Sequence, residues 1–253
     1  MPGPRALNRQ NEAIHVDSLN LDQHISRQFN ADLEQLRTEL LEMGGLVEEQ
    51  LADAILAIET ADGELAEKVL VTEDDVDQRE VTIDKECMAI LARRQPAASD
   101  LRLVMMVSKA IRDLERMGDE AKKIAKMAIA LNEQGGASRG YVELRHLASS
   151  VRKIVRVSLD SFARYDVNAA MKVVRDDKDI DREYKSAMRE MMTYMMEDPR
   201  QITRVMNILW TLRALERIGD HARNIAEQVI YLVHGMDIRH QPLGDIEKQL
   251  ETK

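Results

Sequence analysis

The chain has 253 residues, a net charge of −9, 32% charged and 3% aromatic residues, and only 11 Gly and 5 Pro, a palette that suits long helices and disfavours sheets. Its negative balance argues against nucleic-acid binding, which rests on clustered Lys and Arg. The single Cys87 excludes an intrachain disulfide framework and fits a reducing compartment, and no run of 18 apolar residues offers a membrane span.

Residues 1–28, with Pro2, Gly3 and Pro4 and no continuous apolar stretch, read as a partly disordered extension and not as a secretory signal. Helical periodicity then runs over 29–61, 63–94, 97–134, 139–165, 167–197 and 199–235, with a tail over 237–253. Asp62 and Asp166 stand where an N-cap carboxylate would accept free backbone N–H groups, and Asp198-Pro199 is an N-cap followed by proline at the first helical position. Gln134-Gly135-Gly136 opens the one loop rich enough in glycine to separate two halves.

The halves repeat one another. Asp62-Gly-Glu-Leu-Ala-Glu-Lys68 aligns with Asp166-Val-Asn-Ala-Ala-Met-Lys172, and Leu114-Glu-Arg-Met-Gly-Asp119 with Leu215-Glu-Arg-Ile-Gly-Asp220. The expected fold is therefore all-α, two tandem antiparallel three-helix bundles over 29–135 and 139–236, built from helices about 45 Å long. In the third helix Ile111, Leu114, Met117, Ala121, Ile124 and Ala128 form the core stripe. Gly118 lies within it, and it and its counterpart Gly219 are expected to admit a neighbouring backbone.

Four acidic pairs spaced i, i+4 stand out: Glu73 with Asp77, Glu115 with Asp119, Asp177 with Asp181, and Glu216 with Asp220. Any one such pair is what an acidic composition produces by chance. A chain reversal at Pro96, however, sets Glu73 level with Asp119 and Asp77 level with Glu115. A reversal between Asp198 and Pro199 does the same for Asp177 with Asp220 and Asp181 with Glu216. The helical wheel turns each pair toward the groove between its two helices, so each half gathers four carboxylates at one level.

Two carboxylates about 5 Å apart repel by roughly 3 kcal/mol at an effective dielectric near 20, so the quartets need protons, basic partners or cations. Arg112, Arg116, Lys122, Lys123, Arg213, Arg217 and Arg223 stand one turn away and supply an ordinary salt-bridged reading. The other reading is a hard, oxygen-preferring cation such as Mg, Ca, Mn or Fe. The cluster Met188, Met191, Met192, Met195 and Met196 reads as core filling before docking surface, and His146 and His221 as surface or packing residues.

These same segments, with Arg93-Arg-Gln-Pro-Ala-Ala-Ser-Asp-Leu-Arg102, Met43-Gly-Gly-Leu-Val-Glu48 and Tyr194-Met-Met-Glu-Asp-Pro199, resemble the signature stretches of PhoU proteins from about residue 19 to 240. The resemblance implies a cytoplasmic, non-enzymatic regulator. Such a protein represses phosphate-starvation genes when phosphate is plentiful and modulates uptake by linking the ATPase subunit of the phosphate ABC transporter to a membrane sensor histidine kinase. It also implies homodimers, membrane contact only through partners, and metal ions (Fe, Mg, Mn, Ca or Zn) on Glu73, Asp77, Glu115, Asp119, Asp177, Asp181, Glu216 and Asp220. Two alternatives are a metal-free helical adaptor and a di-metal carboxylate enzyme. The latter wants Glu-x-x-His on two helices, whereas only Glu143 to His146 falls within the bundles; Glu12 to His15 lies in the extension.

Overall fold

A computed structural model describes residues 27–135 and 141–251; the expected N-terminal extension lies outside them up to residue 26. The described residues form α1 Arg27–Thr60, α2 Gly63–Arg94, α3 Ala98–Glu133, α4 Tyr141–Arg164, α5 Val167–Glu197, a 3-10 turn Pro199–Gln201, α6 Ile202–His234 and α7 Leu243–Glu251. The fold is all-α: α1–α3 make one antiparallel bundle and α4–α6 a second.

Local chemistry sets the breaks. Asp62 Oδ1 accepts from the Leu65 N–H at 3.0 Å, and Asp166 Oδ1 from the Ala169 N–H at 3.0 Å, each relieving one of the unpaired donors of a helix start. Both caps follow a residue of left-handed backbone, Ala61 (φ 55°) and Tyr165 (φ 53°), so the same turn is built twice. At Asp198 the cap works differently from expectation. Its carboxylate accepts from the Arg200 N–H at 3.2 Å and holds the Arg200 guanidinium at 2.9 Å, which tightens the proline-led turn into 3-10 geometry and delays α6 to Ile202.

The expected third-helix stripe is buried throughout, from Ile111 to Ala128. Cys87 is buried too, its thiol donating to the Val104 carbonyl at 3.8 Å, and burial pushes it up to about 12, so it behaves as a small apolar residue. Of the methionine cluster, Met191 is core, Met188 and Met195 pack against it, and Met192 and Met196 are exposed.

One hydrophobic core runs through both bundles. The antiparallel crossing of α3 and α6 is the most extensive helix interface, α1 crosses α4 on the same seam, α2 packs on α1 and α3, and α5 on α4 and α6. Polar ties stitch the seam: Arg217 to Glu120 at 2.9 Å, His221 Nδ1 to Asp113 Oδ1 at 2.8 Å, and Asn224 donating to the same Asp113 oxygen at 3.0 Å. His221 is thus a buried packing residue, while His146 is exposed. Gly44 makes the α1–α4 approach possible, since a Cβ there would stand 2.6 Å from Leu159 Cδ2.

The segment after α6, read from sequence as a tail, contains a helix. Ile238 and Ile246 are buried, and Glu247 pairs with Arg175 of α5 at 2.7 Å, which returns α7 to the second bundle.

Neither Gly118 nor Gly219 meets a neighbouring backbone. A Cβ at 118 would lie 2.9 Å from Glu73 Oε2 and 3.0 Å from Gln50 Oε1, whereas at 219 the nearest atoms are Ile154 Cδ1 and Ile180 Cγ2 at 3.5 Å, ordinary contact. The two alanine substitutions should therefore diverge. Gly219→Ala should stabilise by about 0.5–1 kcal/mol through helix propensity, and Gly118→Ala should destabilise by about 1–2 kcal/mol because it must displace two buried side chains. Urea unfolding of both variants checks this, and equal shifts would mean that the glycine at 118 is not reserving space.

Candidate functional site

The first groove lies between α2 and α3. Glu73 is fully buried at 0% exposure and receives a hydrogen bond from Gln50 Nε2 on α1 at 2.6 Å. Its other oxygen, Oε1, and Gln50 Oε1 are buried without a hydrogen-bond partner. Burial pushes the Glu73 carboxyl up to about 7; the Gln50 hydrogen bond opposes the shift, and the negative charges of Asp119 and Asp77 add to it. Glu115, half-buried, is raised by burial first and then by Asp119, Glu80 and Asp77. The four sequence-selected acids therefore sense one another across the groove, as the hairpin register requires.

None of the ion pairs among the described residues involves Glu73, Asp77, Glu115 or Asp119. Lys123, one turn from Asp119, instead reaches Glu120 at 3.0 Å, as does Arg217 from the other half at 2.9 Å.

The second groove, between α5 and α6, holds Asp177, Asp181, Glu216 and Asp220. Burial raises Asp177 to about 6 against the pull of Arg223, with Asp220 and Asp181 adding to the shift. Glu216 is raised by burial and then by Asp220, and Asp220 by lost hydration and then by Asp181. Here basic partners are in place: Arg223 Nη1 lies 3.3 Å from Asp177 Oδ2 and Arg213 Nη1 2.7 Å from Glu216 Oε1, while Arg223 Nε also binds Glu227 at 2.9 Å. Facing the groove glycine are Ile154 and Ile180, apolar where the first half presents Gln50 and Glu73.

The acids of each groove act on one another electrostatically, yet among the described residues no three His, Cys, Asp or Glu side chains converge closely enough to hold a metal ion. The donor chemistry suits a hard cation, and each groove carries one buried carboxylate oxygen without a hydrogen-bond partner, Glu73 Oε1 and Glu216 Oε2.

The PhoU domain family matches residues 40–128 and again 144–229, one match on each half. The chain belongs to the PhoU family. It is 58% identical over 239 residues to the phosphate-specific transport system accessory protein PhoU homolog of Pseudomonas aeruginosa, covering 94% of this chain and 98% of the relative. To the accessory protein PhoU of Escherichia coli it is 46% identical over 238 residues, again 94% and 98%. The crystal structure of PhoU from Pseudomonas aeruginosa superposes with a TM-score of 0.81 at 60% identity, over 82% of this chain and 100% of that one. The phosphate transport system regulatory protein PhoU of Streptococcus pneumoniae gives 0.76 at 30%, over 83% and 98%. Among the described residues no helix is long and apolar enough to cross a membrane.

Sequence reading missed two members of the first groove. Glu80, raised by burial and set against Arg112, Asp77 and Asp84, follows Asp77 by three residues, so helical spacing alone could have found it. Gln50 lies on a different helix, and only packing brings it to Glu73.

Glu73 supplies a pH signature. Between about 4.5 and 7 the folded state keeps its proton while the unfolded state has lost it, so stability falls as pH rises through that window and the cost is fully present above it. In chelator-treated protein, Glu73→Gln should therefore gain on the order of 2–3 kcal/mol relative to wild type between pH 4.5 and pH 8. Urea unfolding at both pH values reads this, and a pH-independent difference would contradict it.

Proposed function

We propose that this chain is an accessory regulator of a phosphate-specific transport system. It couples the ATPase subunit of the phosphate ABC transporter to a membrane sensor histidine kinase, represses phosphate-starvation genes when phosphate is plentiful, and modulates uptake. Identity over nearly the whole length to relatives named as accessory proteins of that system carries the reading. Those names describe accessory and regulatory proteins, and the grooves offer carboxylates and helix faces suited to holding ions and partners. The reading places the chain in the cytoplasm, as a homodimer, reaching the membrane only through its partners. In a strain lacking this chain, alkaline phosphatase activity should rise severalfold in phosphate-rich medium; repression that persists unchanged would remove the assignment.

The same reading assigns the quartets a hard cation, which would neutralise repulsion that the protein alone leaves in place. The first groove is the better candidate, since Glu73, Asp77, Glu115 and Asp119 meet no basic side chain within ion-pair distance among the described residues, and the free Glu73 Oε1 sits buried beside them. In the second, Arg213 and Arg223 already occupy Glu216 and Asp177, so Asp177, Asp181, Glu216 and Asp220 would take an ion only by displacing them. Elemental analysis for Fe, Mg, Mn, Ca and Zn, on protein purified without chelator, tests this. Wild type should hold tightly bound metal that Glu115→Gln with Asp119→Asn loses, and less than one ion per chain in both would leave the metal-free adaptor.

A further inference from the structure

Beyond the carboxylates, each groove continues toward its hairpin bend as an exposed apolar strip. On α2 the stripe carrying Asp77 passes Asp84 and reaches Met88; on α3 the stripe carrying Asp119 and Glu115 runs back past Ser108 to Met105 and Leu101. Ser108 Oγ donates to Asp84 Oδ1 at 3.4 Å, which sets the register and brings Met88 level with Met105. Met88 is 61% exposed, and Leu101 and Met105 about as open as each other at 40% and 39%.

The repeat places the same feature on the second half. Met192 stands where the first half has Met88, Ile202 where it has Leu101, and Met206 where it has Met105; Met192 and Ile202 are exposed and Met206 partly so. Scattered exposed apolar residues need no explanation, but the same three positions left open on two diverged halves do. Each lies in the furrow between two antiparallel helices whose third neighbour is on the far side, the place a fourth helix would complete a bundle.

Charge decides what kind of helix fits. The furrow turns from apolar at the bend to anionic at Asp77, eleven residues or about 16 Å along α2; in the first half its four acids have no ion pair among the described residues, and in the second, where Arg213 and Arg223 pair with Glu216 and Asp177, Asp181 and Asp220 have none. An anionic membrane surface would be repelled there. We infer that each groove, when no cation sits on its carboxylates, docks an amphipathic helix of a partner protein, its apolar stripe seated on the methionine end and its Lys or Arg side chains about three turns further on, over the carboxylates. Unbranched methionines adapt to the partner's side chains. The inference rests on the regulatory reading only in supposing a protein partner.

The chelator-treated full-length chain can be titrated against two labelled synthetic helices of roughly six turns. They share a Leu/Met stripe and differ only in having Lys/Arg or Glu three turns from it. Anisotropy should show the cationic peptide binding at least tenfold tighter, with the margin shrinking as salt rises. Met88→Glu with Met105→Glu should weaken binding at the first groove tenfold or more without changing the unfolding curve, since both side chains are exposed. Trp210, the only tryptophan and 59% exposed one turn from Met206, should shift its emission on docking at the second groove and stop doing so in Met192→Glu with Ile202→Glu. Equal affinity for the two peptides, or variants that bind as wild type, would overturn the inference. So would sedimentation showing that the same substitutions dissociate a dimer, which would assign the strip to a second copy of this chain. A chain that ignores the peptides while the strain lacking it still shows the rise in alkaline phosphatase would lose this inference alone.

Discussion

Two long antiparallel helices joined by a bend of a few residues have almost no freedom of register. Once α2 ends at Arg94 and α3 starts at Ala98 around Pro96, every residue of one helix acquires a fixed neighbour on the other. Acids about 40 residues apart along the chain, Glu73 with Asp119 and Asp77 with Glu115, are then held near one height whether or not the local electrostatics favour it. The second half repeats the constraint around Pro199. The two grooves, and the meeting of Asp177 on α5 with Arg223 on α6, are consequences of those two reversals.

The halves answer the resulting repulsion in different ways. In the first, the innermost acid is withdrawn from water, seated against Gly118 and Gln50, and burial raises its proton affinity until it titrates at about 7. In the second, the innermost acid is the shorter Asp177, which meets Arg223, and an isoleucine pair fills the space beside Gly219. Both solutions carry the cost of desolvating a carboxyl, which in the second half is offset in part by the partly exposed Arg223 beside Asp177. Apolar groups in their place would avoid this cost.

The bundles are also not independent. Their cores are continuous, and the seam mixes apolar packing with ties that cross from one half to the other, Glu120 with Arg217 and Asp113 with His221 and Asn224. Glu120 neighbours Asp119 in the chain and His221 neighbours Asp220, so each seam contact sits on the same helical turn as a groove carboxylate.

The sequence by itself determined the all-α class, the duplicated bundles, the caps at Asp62 and Asp166, the buried stripe of the third helix and the level of the acid quartets. All of these follow from period, turn chemistry and repeat, which are local or act along a single hairpin. It did not show which acid of a quartet is buried, that Gly118 reserves room for two side chains rather than a backbone, that Lys123 turns away to Glu120, or that the segment after Gly235 returns as α7. Those outcomes depend on a third helix, on the opposite bundle or on a distant side chain such as Arg175. Tertiary packing decided them because burial and ion pairing are set by whichever groups arrive from elsewhere in the chain, and a helical wheel records only direction, not what stands in that direction.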